Sequence, residues 1–315
     1  MENLFFSLNV TLPIFLTIVI GYLLKRFHML DGGFVKTLNT FNFNVTLPAL
    51  IFMDLYHADF YDVWDTRYFV FCFVVTLICI LVIFGATLLF CRDRSLAGEF
   101  VQASYRGSAA VLGLALIQGI YGSATIAPLM IIGSVPLYNV LAVVILSLTR
   151  PDTHGTDKKA LLKSLKGVVT NPILIGIALG MIASLTRIQF PVIAEKTLSN
   201  LAVLATPLAL IGLGAGFEGR AAMHLLKPTL LASAIRLVIQ CAVFLPFAVH
   251  LGFTGEKIIA LLVMLGAPTT PSCYIMAKNM GHDGHLTSGV VVVTILLSSL
   301  TLTFWLFLLK SLRIV

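Results

Sequence analysis

The amino-acid sequence predicts an all-α membrane protein of ten transmembrane helices, built as two inverted five-helix repeats whose fourth and ninth helices are broken and cross. Three observations predict it: the apolar balance of the chain, the number of long apolar runs its length holds, and prolines and glycines that recur at one constant shift. Of 315 residues, 58% are hydrophobic and 11% charged, with a mean hydropathy of +1.00, far outside the range of soluble domains. A helix needs about 20 apolar residues to cross the hydrocarbon, so this length holds roughly ten crossings joined by short loops.

The net charge of +7 does not point to nucleic acid, because the basic residues sit in small groups between apolar runs and form no stripe or tail. Cys72, Cys79, Cys91, Cys241 and Cys273 lie in or at the ends of apolar runs without metal-ligand spacing and read as core residues. No phosphate loop, His-rich cluster or dinucleotide fingerprint occurs, so neither cofactor nor metal is expected. The opening Met1-Glu2-Asn3 lacks a basic stretch, and the first apolar run is expected to be a retained helix.

Taken in order, the apolar runs are 3–24, 34–54, 67–91, 97–120, 124–149, 163–185, 191–216, 224–250, 257–281 and 286–309. Alternate breaks carry the cations: Lys25, Arg26 and Lys36; Arg92 and Arg94; Arg150 with Lys158, Lys159, Lys163 and Lys166; Arg220 and Lys227; and Lys278. The intervening breaks are acidic or near neutral, most clearly the one holding Asp54, Asp59, Asp62 and Asp65. Positive loops stay in the cytoplasm, which places both termini on the extracytoplasmic side of the cell membrane. A hydrophilic break at mid-chain divides the helices five and five: residues 1–149, a cytoplasmic loop at 150–162, and residues 163–315.

At a shift of 159 residues Pro13 meets Pro172, Gly21 meets Gly180, Pro48 meets Pro207, Gly107 meets Gly266, and Gly122 meets Gly281. An odd number of spans per unit turns the second copy upside down, the pattern of secondary transporters. The substrate site of such folds lies where helices break near the midplane.

The ninth span carries Gly266-Ala267-Pro268-Thr269-Thr270-Pro271-Ser272 in its middle. Two prolines three apart remove two backbone donors and clash with the preceding turn, so the helix breaks here or is kinked and sealed by hydroxyls. In the fourth span Arg106, Gly107, Ser108 and Gly113 stand at the matching place without a proline, and a break there follows chiefly from the repeat. Half-helix N-termini aimed at one point suit a carboxylate.

Within the second span Asn42, Asn44 and Thr46 are polar; Asn42 and Thr46 share a face and either line a pathway or tie helices together. Arg236 lies about 15 Å deep in the eighth span, too deep to snorkel, and either binds a substrate carboxylate or ties helix-end carbonyls. Arg106 is a second candidate, or else an interfacial residue. No Asp or Glu falls clearly in a span's middle, so any coupling to ions must use other groups.

The run Asn44-Val45-Thr46-Leu47-Pro48-Ala49-Leu50-Ile51-Phe52, the segment from Tyr105-Arg106-Gly107 and the stretch from Gly266-Ala267-Pro268 to Ala277-Lys278 resemble the auxin efflux carrier family over nearly the whole chain. The resemblance implies ten spans and crossed fourth and ninth helices, as in sodium/proton antiporters and bile-acid symporters. It also implies a scaffold of spans one, two, six and seven, a transport bundle of spans three to five and eight to ten, and a homodimer in the lipid bilayer. The long central loop of plant carriers is missing, so the chain looks like a bacterial member, of the kind described as malate or malonate permeases. Gly107-Ser108 and Ala115 depart from the family's usual Asn and Pro. The expected function is transport of a small organic anion, such as malate, malonate or an auxin-like acid. Alternatives are a sodium-coupled bile-acid-type symporter, a non-transporting receptor or a membrane-embedded enzyme.

Overall fold

A computed structural model describes residues 2–58, 64–91, 94–108, 117, 120–121, 125–150 and 170–315. Gly113, Gly122 and most of the expected 150–162 loop lie outside the described residues. Fourteen helices are named here: α1 Glu2–Arg26, α2 Gly32–Phe41, α3 Leu47–Tyr56, α4 Thr66–Phe90, α5 Arg94–Tyr105, α6 Ala127–Leu148, α7 Pro172–Thr186, α8 Val192–Ala215, α9 Gly219–His224, α10 Leu226–Ala234, α11 Gln240–His250, α12 Glu256–Gly266, α13 Ser272–Asn279 and α14 His285–Ser311. Five described helical stretches are long and apolar enough to cross a membrane: Thr66–Phe90, Ala127–Leu148, Val192–Ala215, Leu226–His250 and His285–Ser311. Their bounds fall within a few residues of the apolar runs, because hydropathy and helix-ending residues are local signals.

Among the described residues two π-turns interrupt otherwise continuous helices. Asn42–Thr46 joins α2 to α3, and the Leu47 N–H reaches back five residues to the Asn42 carbonyl. Pro48, next in the chain, has no N–H to continue the ordinary ladder. Ile235–Ile239 joins α10 to α11, with the Gln240 N–H bonded to the Ile235 carbonyl. Each such turn inserts a residue and rotates the side chains beyond it, which is why π-turns collect at functional sites.

Helix α1 packs on α8 and α14, α3 on α7 and α8, α4 on α5 and α6, and α10 on α14. Two of these contacts depend on missing side chains. A Cβ on Gly21 would strike the Ile211 backbone, and one on Gly180 would press on the Phe52 backbone. The outward faces stay apolar, as Leu81, Val82, Leu89, Val203 and Phe307 show by their exposure. Outside the apolar zone Asp65 caps α4 through the Tyr68 N–H and takes a 2.6 Å ion pair from Lys257 at the start of α12; the Lys257 hydrogen bond holds its carboxyl below the usual range.

Glu99 of α5 is buried, 1% exposed. Its carboxylate accepts hydrogen bonds from the Gly284 N–H at 2.7 Å, the Thr287 N–H at 2.9 Å and the Thr287 hydroxyl at 2.9 Å. It thus caps the N-terminus of α14 from another helix, where both the free N–H groups and the helix dipole favour an anion. Glu99→Ala leaves those donors unpartnered in an apolar setting and is expected to cost about 2 to 4 kcal/mol. Thermal unfolding in detergent checks this: a melting temperature equal to wild type would mean water replaces the carboxylate at no cost.

Candidate functional site

Two of the described helices, α5 and α12, give way to non-helical backbone that meets in one place. α5 ends at Tyr105, and Gly107 forms an antiparallel bridge with Thr269; the Ser108 N–H donates to the Pro268 carbonyl at 2.9 Å. α12 ends at Gly266, Ala267 is extended, and α13 restarts at Ser272. The prolines explain the second break. The first has no proline; it persists because its backbone groups find partners across the bridge instead of along a helix. The Thr269 N–H is taken by Thr294 Oγ1 at 3.1 Å, and the Thr269 hydroxyl donates to the Ala103 carbonyl at 2.8 Å.

Two helix C-termini, those of α5 and α12, end at this crossing with carbonyls pointing into the protein. Arg236 meets them. Its Nε donates to the Ala267 carbonyl at 2.8 Å, Nη1 to the Tyr105 carbonyl at 2.7 Å and to Gln240 Oε1 at 3.0 Å, and Nη2 to the Met264 carbonyl at 2.8 Å. Gln240 in turn donates to the Ser104 carbonyl at 2.8 Å. The guanidinium is wholly enclosed, 0% exposed, so of the two roles open from sequence, the geometry is that of a tie between helix ends. A cation at two negative dipole ends is favourable, and the π-turn is what aims it there.

Arg106 is differently placed. It is buried inside the protein, 4% exposed. Its Nη2 donates to Asn139 Oδ1 at 2.5 Å, Nη1 points at the Met276 sulfur, and it lines a cavity of about 70 Å³ at the crossing. Both partners are neutral. Gly107, Ser108, Thr270, Pro271 and Ser272 line the same cavity, as do Tyr138, Asn139, Thr206 and Asp54. The space holds a few waters at most, so an organic ligand requires the walls to part.

Other sequence candidates fall elsewhere. Asn42 donates to the Ala205 carbonyl at 3.0 Å and accepts from the Thr46 hydroxyl at 2.5 Å; both are 0% exposed and tie α8 to the π-turn. Asn44 is exposed on the far side of that turn. Gly266, Ala267, Pro268 and Thr269 build the crossing without lining the cavity. Asp54, Tyr138, Asn139 and Thr206 were not among the sequence candidates. Asp54 lies at the end of an apolar run, where sequence gives no reason to turn it inward, and Asn139 sits beyond Pro136 in a run that reads as core.

A second cavity, about 670 Å³, opens among Lys25, Lys36, Asn39, Glu218, Tyr274 and Lys278.

The family model described as membrane transport protein matches residues 6–306. The chain belongs to that family. This agrees with the resemblance to auxin efflux carriers and makes the chain a multi-pass membrane protein of transmembrane transport. It is similar to a protein of Methanothermobacter thermautotrophicus named an uncharacterized transporter, 26% identical over 309 residues that cover 95% of this chain and 97% of the relative.

Proposed function

We propose that this family member is a secondary carrier for small carboxylates, working by alternating access at the crossing. The observation that carries the reading is Arg106: a buried cation that lines the cavity beside the N-terminus of α13 and whose side-chain partners among the described residues, Asn139 and Met276, are neutral. Such a cation has donors to offer a carboxylate, and the Ser272 end of α13 adds the positive pole of a helix dipole. Malate and malonate are the first probes, since the family resemblance points to them.

The ten-span, two-repeat architecture belongs to the same proposal. Gly21 meets Ile211 and Gly180 meets Phe52, and the shift of 159 that takes Gly21 to Gly180 also takes Phe52 to Ile211. Equivalent helices therefore make equivalent contacts, which supports an internal two-fold relation. With the basic breaks in the cytoplasm, the cavity of Lys25, Lys36 and Lys278 becomes a cytoplasmic vestibule whose charge raises the local concentration of anions. The homodimer stays part of the reading on the resemblance alone.

Proteoliposomes carrying the purified protein test it, through saturable uptake of labelled malate and malonate with and without pH or sodium gradients. Arg106→Gln keeps a polar amide at the cavity wall but loses the charge, and kcat/KM is expected to fall about 10- to 100-fold with the size-exclusion profile unchanged. Full activity in Arg106→Gln would remove the carboxylate site from Arg106. Uptake that requires sodium would move the protein toward a sodium-coupled symporter.

A further inference from the structure

The acids that the fold uses have partners. Glu99 takes three hydrogen bonds, Asp65 caps α4 and pairs with Lys257, and Glu256 accepts the Ile126 N–H at 2.8 Å. Asp54 differs. It is half-buried near the end of α3 and lines the cavity at the crossing, yet among the described residues it receives no hydrogen bond and joins no ion pair. Its companions from α3 on the cavity wall are Leu47, Leu50 and Ile51. An ionised carboxylate in an apolar wall, with neither donor nor cation to hold it, is costly, and a carboxyl so placed removes the cost by taking a proton.

The titratable groups around Asp54 are engaged elsewhere. At its own end of α3 stand Tyr56, which accepts the Phe190 N–H, and His57, its electrostatic neighbour, whose ring lies 2.9 Å from Glu195 of α8. Lys196 follows Glu195 in the first turn of α8. The other elements packed on α3, helix α7 and the π-turn Asn42–Thr46, contain no titratable residue. Elsewhere on the cavity wall are Arg106, directed at Asn139 and Met276, and Tyr138, whose hydroxyl donates to the Met264 carbonyl at 3.1 Å.

We infer that Asp54 carries the coupling proton of a proton-linked carboxylate symport. The inference rests on the carboxylate-carrier reading and names its coupling ion. An anion entering this cavity repels an ionised Asp54, so it binds better when Asp54 is protonated, and once bound it favours that proton by the same factor. A carrier that changes sides with both aboard, or with neither, moves one proton with each anion. The proton leaves Asp54 on the far side as the anion leaves, and the carboxyl returns ready for the next pair.

Two assays with labelled malonate separate coupling from movement. Proteoliposomes, with the membrane potential clamped at zero by potassium and valinomycin, are tested for malonate exchange at equal pH and for malonate accumulation with the lumen one pH unit above the outside. Protein-free vesicles give the leak of undissociated acid. Wild type is expected to exchange, and to accumulate malonate about tenfold at one proton per anion. Asp54→Asn, nearly isosteric, still exchanges but accumulates nothing beyond the protein-free vesicles. Asp54→Leu suits the apolar wall and gives the same comparison should Asp54→Asn fail to fold. His57→Gln accumulates like wild type. Accumulation equal in wild type and an Asp54 variant would put the proton on the substrate and overturn the inference. Loss of accumulation in His57→Gln alone would move the proton to His57 and overturn it as well. A folded Asp54 variant that neither exchanges nor accumulates would make Asp54 a requirement for movement, not for coupling. Wild-type exchange without accumulation would sink the symport and leave the carrier reading standing; no exchange in wild type would sink both.

Discussion

Arg236→Met is expected to abolish the folded protein. The substitution keeps the approximate bulk of the side chain but leaves the Tyr105 and Ala267 carbonyls and Gln240 Oε1 without the guanidinium donor, while the Met264 carbonyl loses one of its two donors and keeps the Tyr138 hydroxyl at 3.1 Å. Lipid supplies no replacement, and an unsatisfied backbone group in the hydrocarbon costs several kcal/mol. The total exceeds about 4 kcal/mol, the range that single substitutions reach only by such mechanisms. Arg236→Lys keeps the charge at the helix ends but presents one nitrogen where the guanidinium presents three, and is expected to lie between the two. Size-exclusion profile and thermal unfolding in detergent read the result. If Arg236→Met were monodisperse with a wild-type melting temperature and had lost only uptake, the two arginines would exchange roles.

Gly107→Ala is expected to destabilise the crossing by about 2 to 4 kcal/mol. A Cβ on Gly107 would fall on the Arg236 guanidinium. The end of an arginine normally swings aside at little cost, but this one is held by bonds from all three of its nitrogens, so yielding means breaking some of them. The need for glycine is therefore one of space. A double-mutant cycle separates this from a general strand effect: in an Arg236→Ala background the guanidinium is gone, and Gly107→Ala should add little. Additive costs would place the strain in the Gly107 to Thr269 bridge instead.

The outcome at Arg106 completes the comparison. Sequence treats the two arginines alike, as cations in or near apolar runs. The structure ties one through all three of its nitrogens to helix-end carbonyls and Gln240 and gives the other a place on a cavity wall. A fold that tolerates Arg106→Gln but not Arg236→Met would express that difference in two measurements.

How much could be read from the residues alone varies with how local the signal is. Membrane residence and helix positions follow from runs of apolar side chains, because the cost of an unpaired backbone in lipid leaves the chain little choice but helix. The break at Gly266 to Ser272 follows from two prolines that no helix accommodates. The break at Arg106 to Ser108 was legible only through its repeat partner, since its own residues do not forbid a helix. Where a side chain points was decided by tertiary structure. Each helical residue turns its neighbour by about 100°, and each π-turn adds a shift that hydropathy does not register. Arg236 thus meets carbonyls, Asn42 and Thr46 bond to neighbouring backbone, and Asp54 at a span's end lines the same cavity as Arg106. Sequence by itself determined that this protein lives in the bilayer and where its helices fail. Only the packing of distant segments decided which charges are spent holding those failures together and which remain for a ligand.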